Sequence, residues 1–185
     1  MKHWTNPVPS LVRMTLAVAL LALGLIACSA PTVNTYANEK PVLDLRQYLN
    51  GPLTAHGLFT DRSGKVVKRF SVKMKGSWEG DKGLLEEDFS YSDGSTQRRV
   101  WRLQRQCDGT YIGMADDVVG QALGSAAGNA FNWHYTLALP VDGSVWNVQL
   151  DDWMYLMDAH TMLNKATMRK WGIRLGEVTL SFTKD

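Results

Sequence analysis

The stretch Phe131-Asn132-Trp133-His134-Tyr135-Thr136-Leu137-Ala138-Leu139 decides how this chain is read. Phe131, Trp133, Tyr135, Leu137 and Leu139 fall on one face, and Asn132, His134 and Thr136 fall on the other. Successive side chains of a strand point to opposite sides, so this period predicts a half-buried β-strand.

The same period recurs on both sides of that stretch. Trp146, Val148 and Leu150 follow it, and Val178, Leu180 and Phe182 close the chain. Upstream, Phe70, Val72 and Met74 alternate with Arg69, Ser71, Lys73 and Lys75. Leu85, Phe89 and Tyr91 repeat the pattern, with Glu87 intruding on their face. Turn signals separate these runs: Arg62-Ser63-Gly64, Ser92-Asp93-Gly94, Cys107-Asp108-Gly109, Gly128-Asn129 and Val141-Asp142-Gly143. Asp-Gly suits the tight turns whose twist matches that of paired strands. Asp44 to Gly51 reads as one short helical turn closed by Asn-Gly. No long amphipathic helix interrupts the series. The expectation is an all-β domain of about eight to ten antiparallel strands in consecutive hairpins. Closing them into an up-and-down barrel removes exposed sheet edges; a two-sheet sandwich is the alternative.

The N-terminus has a different character. Lys2 and Arg13 precede an apolar run over residues 14–27, the length of a signal-peptide core and short for a transmembrane helix. The run ends in Leu25-Ile26-Ala27-Cys28, which resembles a bacterial lipobox. The resemblance implies a lipoprotein signal peptide over residues 1–27 and acylation of Cys28. Ser29, in place of an Asp, implies the periplasmic face of the outer membrane. Residues 28–40 then read as a lipidated tether and 41–185 as the barrel domain. Cleavage would remove Lys2 and Arg13 and no acidic residue, which cancels the formal charge of +2. A neutral domain offers no broad nucleic-acid footprint. With Cys28 acylated, Cys107 has no internal disulfide partner, and the simplest reading is a small side chain at least partly buried.

The chain carries seven Trp, six Tyr and five Phe. Phe131, Trp133 and Tyr135, with Met154, Met162 and Met168, either fill a core or line an apolar cavity. If the phase of Val148 and Leu150 persists, Asp152 joins that inner face, where an isolated carboxylate needs a partner. Arg98, Arg99, Arg102 and Arg174 are the available cations. The pair is a structural ion pair or a head-group contact. Phe131, Trp133, Tyr135, Asp152, Met154 and Arg102 form the expected ligand-binding set. Asp116-Asp117 and Asp151-Asp152 read as solvated or turn-capping acids, not a metal site, because adjacent strand residues face opposite ways. Gly120, Gly124 and Gly128 lack the Lys-Ser/Thr ending of a phosphate loop and read as sites of bending or close backbone approach. His134 lies on the polar face of its strand, and no Gly-x-Ser-x-Gly elbow occurs.

An ordered set of motifs resembles a known family: Leu43-Asp44-Leu45-Arg46, Asp61-Arg62-Ser63-Gly64, Arg98-Arg99-Val100-Trp101, Asp116-Asp117-Val118-Val119-Gly120, Asp151-Asp152-Trp153-Met154-Tyr155-Leu156 and Gly172-Ile173-Arg174-Leu175-Gly176. Together they are similar to the DUF3833 lipoproteins of proteobacteria, a family with no established catalytic residues to carry over. Gly76-Ser77-Trp78 matches the Gly-x-Trp spacing of lipocalin barrels, although it lies inside the domain. The expected function is a non-enzymatic, lipocalin-like domain that needs no cofactor or metal. Its partners would be the membrane, through Cys28, and an apolar or amphipathic small molecule such as a lipid. The alternatives are an envelope interaction module with a packed barrel, and an enzyme with Asp152 at its mouth.

Overall fold

The computed structural model describes residues 30–141 and 143–184. Cys28 and the apolar run before it lie outside the described residues. The described residues from Thr32 onward form one compact unit.

Ten antiparallel strands close into an up-and-down barrel in the order β1-β10-β9-β8-β7-β6-β5-β4-β3-β2. They are β1 (Gly51–Asp61), β2 (Val66–Glu79), β3 (Lys82–Tyr91), β4 (Thr96–Arg105), β5 (Tyr111–Met114), β6 (Ala122–Ala127), β7 (Ala130–Val141), β8 (Ser144–Leu156), β9 (Thr161–Lys170) and β10 (Ile173–Lys184). Every consecutive pair is a hairpin. β1 then pairs with β10 from Leu53↔Lys184 to Asp61↔Gly176, so neither terminal strand leaves a free edge. The sandwich alternative is excluded by that closure.

The two ends of the barrel are built differently. One end is plugged by a single helical turn, α1 (Leu45–Tyr48). Asp44 caps it by accepting from the backbone N–H groups of Arg46 and Gln47 at 2.9 and 3.4 Å. The Tyr48 hydroxyl donates to the His160 carbonyl at 2.9 Å. Lys184 Nζ donates to the carbonyls of Gln47, Tyr48 and Asn50, which a helix this short leaves without partners. Gly76 is required beneath this plug, because a Cβ there would lie 1.6 Å from the Leu49 carbonyl oxygen. Below α1, Leu53, Val72, Phe131 and Met162 are almost wholly buried. Each contributes about 1.5–3 kcal/mol by leaving water.

The opposite end is open, and one side of it is not strand. β5 and β6 are short, so the loop from Ala115 to Gln121 completes the wall there. That loop pairs with β7 through Val119 N–H to Thr136 O and Ala138 N–H to Asp117 O, both at 2.8 Å.

Two expectations need correction. The segment before Pro41 is not all spacer. Residues 33–36 form a 3-10 turn, and Tyr36 packs edge-on against Trp153 and Tyr155 on the outer wall. Gly128 permits that approach, since a Cβ there would meet the Tyr36 carbonyl at 1.7 Å. Aromatic rings on the outward phase of β8 supply the anchor that the segment's own composition did not reveal. Cys107, expected to be at least partly buried, is exposed. It sits in the β4–β5 turn, where the backbone hydrogen bonds of Gln106 and Gly109 close the loop at the surface.

Candidate functional site: the barrel interior

One continuous cluster of buried side chains runs through the barrel, from Leu45 and Leu49 at the plug to Phe70, Trp101 and Leu150. Toward the open end the barrel encloses a cavity of about 330 Å³. Leu45, Leu49 and Phe131 lie toward its plugged side, and Leu137, Leu139 and Pro140 toward its mouth. The wall between them is mostly aromatic and aliphatic: Phe59, Phe70, Phe89, Trp101, Trp133, Met154, Met168 and Leu180. Trp101 is the centre of an edge-to-face cluster with Trp133 and Tyr135, at 5.7 and 5.4 Å between ring centroids. Such contacts hold the rings in fixed orientations. Gly113 and Gly124 allow Trp133 to lie flat against the wall, because a Cβ at either position would approach its ring within 2.5 Å.

A polar cluster interrupts this surface. Asp152 follows the inward phase of β8 and is 6% exposed. Tyr135 donates to its Oδ2 at 3.1 Å, and the Asn164 amide donates to Oδ1. No cation bonds it directly among the described residues. Burial pushes its carboxyl up to about 6, against those two hydrogen bonds. Glu87, the residue that broke the β3 pattern, is equally enclosed at 8% exposure. Its Oε2 has no hydrogen-bond partner, and Arg99 Nη1 stands 3.7 Å from it. Burial pushes Glu87 up to about 7, only partly opposed by Arg99.

Arg99 is the cation of the interior. Its Nη2 lies 2.7 Å from Asp117 Oδ2, and its Nε donates to the same carboxylate. Burial works against the guanidinium charge, but Glu87 and Asp117 outweigh it and hold Arg99 protonated. The cavity therefore gathers three carboxyl groups, Glu87, Asp117 and Asp152, around one guanidinium. Among the described residues, no three His, Cys, Asp or Glu side chains are placed to hold a metal ion.

Five of the six expected ligand-contacting residues line this cavity: Phe131, Trp133, Tyr135, Asp152 and Met154. Arg102 does not. It projects from the outer wall, 59% exposed, 3.5 Å from an Asp116 that is itself almost fully solvated. Arg99 takes the inward place because β4 keeps the phase of Trp101 and Leu103. That phase was present in the sequence and turns Arg98 and Arg102 outward. Asp117 is not the solvated acid that its pairing with Asp116 predicts: it turns inward onto Arg99. Strand alternation does not govern it, since it lies in the loop that completes the wall. Asn164 follows the inward phase of Met162 and Ala166 and was not singled out. Of the methionines, Met154 and Met168 border the cavity, whereas Met162 is sealed in the packed half. His56, His134 and His160 are all exposed.

The fold and this interior define a closed, ten-stranded antiparallel barrel with an internal, largely apolar pocket. The chain belongs to the DUF3833 family, described as a protein of unknown function, which matches residues 22–184. No curated protein matches it closely enough to lend it an activity.

Proposed function

We propose that this protein is a non-enzymatic, lipocalin-like carrier or sensor of an apolar or amphipathic small molecule. Lipid on Cys28 would hold it at the periplasmic face of the outer membrane. The observation that carries the binding reading is the cavity. It is of the size of small-molecule sites, walled by aromatic and aliphatic side chains, and has a few convergent polar groups at mid-depth. The rim supports entry of an apolar molecule. Val145, Trp146, Trp171 and Ile173 are exposed at the tips of the β7–β8 and β9–β10 hairpins. Lys170 lies over both indole rings, at 3.8 Å from Trp146 and 4.7 Å from Trp171.

Native mass spectrometry and organic extraction of the full-length protein, purified from its own envelope, test this reading. The expected result is one bound apolar or amphipathic molecule per chain. An empty barrel accompanied by a stoichiometric crosslinked protein would overturn it in favour of an interaction module. For the anchor, Cys28→Ser is expected to abolish palmitate labelling and release the protein from the membrane fraction. Unchanged labelling and fractionation would remove the lipoprotein assignment and leave the cavity reading intact.

A further inference from the structure

The cavity's charge is unbalanced, and the imbalance selects among amphiphiles. Arg99 is already committed to Asp117 through two of its nitrogens. Asp152 is occupied by Tyr135 and Asn164. Glu87 is the least satisfied of the three: it is enclosed, its Oε2 accepts no hydrogen bond and has only Arg99 Nη1 at 3.7 Å, and it is borne on the inward phase of β3 among apolar side chains. A buried polar atom without a partner costs free energy, and a ligand that supplies a donor recovers it. A fatty-acid carboxylate supplies no donor, and it would join three carboxyl groups facing one guanidinium. In a desolvated pocket that juxtaposition is strongly unfavourable.

We propose that the pocket accepts an aliphatic amine, its ammonium group seated against the Glu87 carboxyl and its chain along the aromatic wall. The inference rests on the cavity-binding reading and narrows it. An ammonium supplies up to three donors and one positive charge, which compensates the excess carboxyl groups. Its arrival favours the ionised form of Glu87, so binding expels a proton where that carboxyl was protonated.

The test is isothermal titration of the full-length protein at pH 7 with three probes of equal chain length: octylamine, octanol and octanoate. Octylamine is expected to bind about tenfold more tightly than octanoate, the scale of one charge-assisted hydrogen bond. Octanol should fall between them. Repeating the octylamine titration in phosphate and in Tris should show a buffer-dependent heat that reports proton release. Glu87→Gln should shrink the preference for octylamine over octanol. If that variant fails to fold, the probe series with the natural protein still decides. Octanoate or octanol binding as well as octylamine would overturn this inference and leave the cavity reading standing. No binding by any of the three would overturn both.

Discussion

The two halves of this barrel share the same strands and differ in how they are filled. At the plugged end Leu53, Val72 and Met162 are buried under α1, and Tyr48 and Lys184 tie the plug to the β8–β9 turn and to β10. At the open end the same strands carry rings that pack against one another around a cavity, with charged groups turned inward. The open half also carries an opposing cost, since burying Glu87, Arg99 and Asp152 away from water is unfavourable even when they are partnered. The contrast separates scaffold from site along each strand. On β8, Leu156 belongs to the packed half and Asp152 and Val148 to the cavity wall.

The largest effect should come from the packed half. Leu53→Ala removes a side chain that is 2% exposed, and the expected loss is about 2–5 kcal/mol because a new cavity forms. Leu180→Ala enlarges a void that already exists, so its cost should stay below about 1.5 kcal/mol, the transfer term alone. Urea unfolding of both variants checks this, and equal losses would break the distinction between halves.

Next in size is the cation of the open half. Arg99→Ala strands Glu87 and Asp117 without their counter-charge. It should cost about 3 kcal/mol at pH 8. The cost should shrink at pH 5, where Glu87 takes a proton instead. Melting curves at the two pH values compare them directly; a loss that does not depend on pH would count against Glu87 as the stranded group.

The natural protein should itself become less stable as pH rises. Glu87 moves from an ordinary 4.5 to about 7 on folding, and Asp152 from 3.8 to about 6. Across those intervals the folded chain holds protons that the unfolded chain has released, so stability falls as pH rises through them. The expected drop between pH 5 and pH 8 is on the order of 1–3 kcal/mol. Glu87→Gln should flatten it. The turn carboxylates have the opposite sign: Ser63 holds Asp61 low, Lys68 and then Ser95 hold Asp93 low, Thr110 holds Asp108 low, and the His160 and Thr161 backbone N–H groups hold Asp158 low. Their contribution is lost as pH falls below the ordinary aspartate range. Stability measured against pH should therefore peak at about pH 4, where the two trends meet, and a steady rise up to pH 8 would refute the buried assignment.

The smallest effect is expected on the outer wall. Arg102→Ala should change stability by about 0.5 kcal/mol or less and leave ligand binding unaltered. A clear change in binding would restore Arg102 to the site.

How far each feature could be read depended on whether a strand carried it. Phe131, Trp133, Tyr135, Asp152 and Met154 were placed correctly because the period-two rule propagates along β7 and β8. The same rule, extended backward from Trp101 and Leu103, would have chosen Arg99 over Arg102. Asp117 and Tyr36 were different. One sits in a loop that substitutes for missing strand, and the other in a short turn whose docking site lies on β8. Periodicity says nothing about either.

Alternation and turn chemistry by themselves determined an all-β chain of consecutive hairpins and which side chains face inward, because strand geometry is local. Three things were decided only by the tertiary structure: the meeting of β1 with β10, the cavity left among the packed rings, and the excess of carboxyl groups around a single guanidinium. Each depends on residues far apart in the chain arriving at the same depth, and depth is set by strand register and barrel closure.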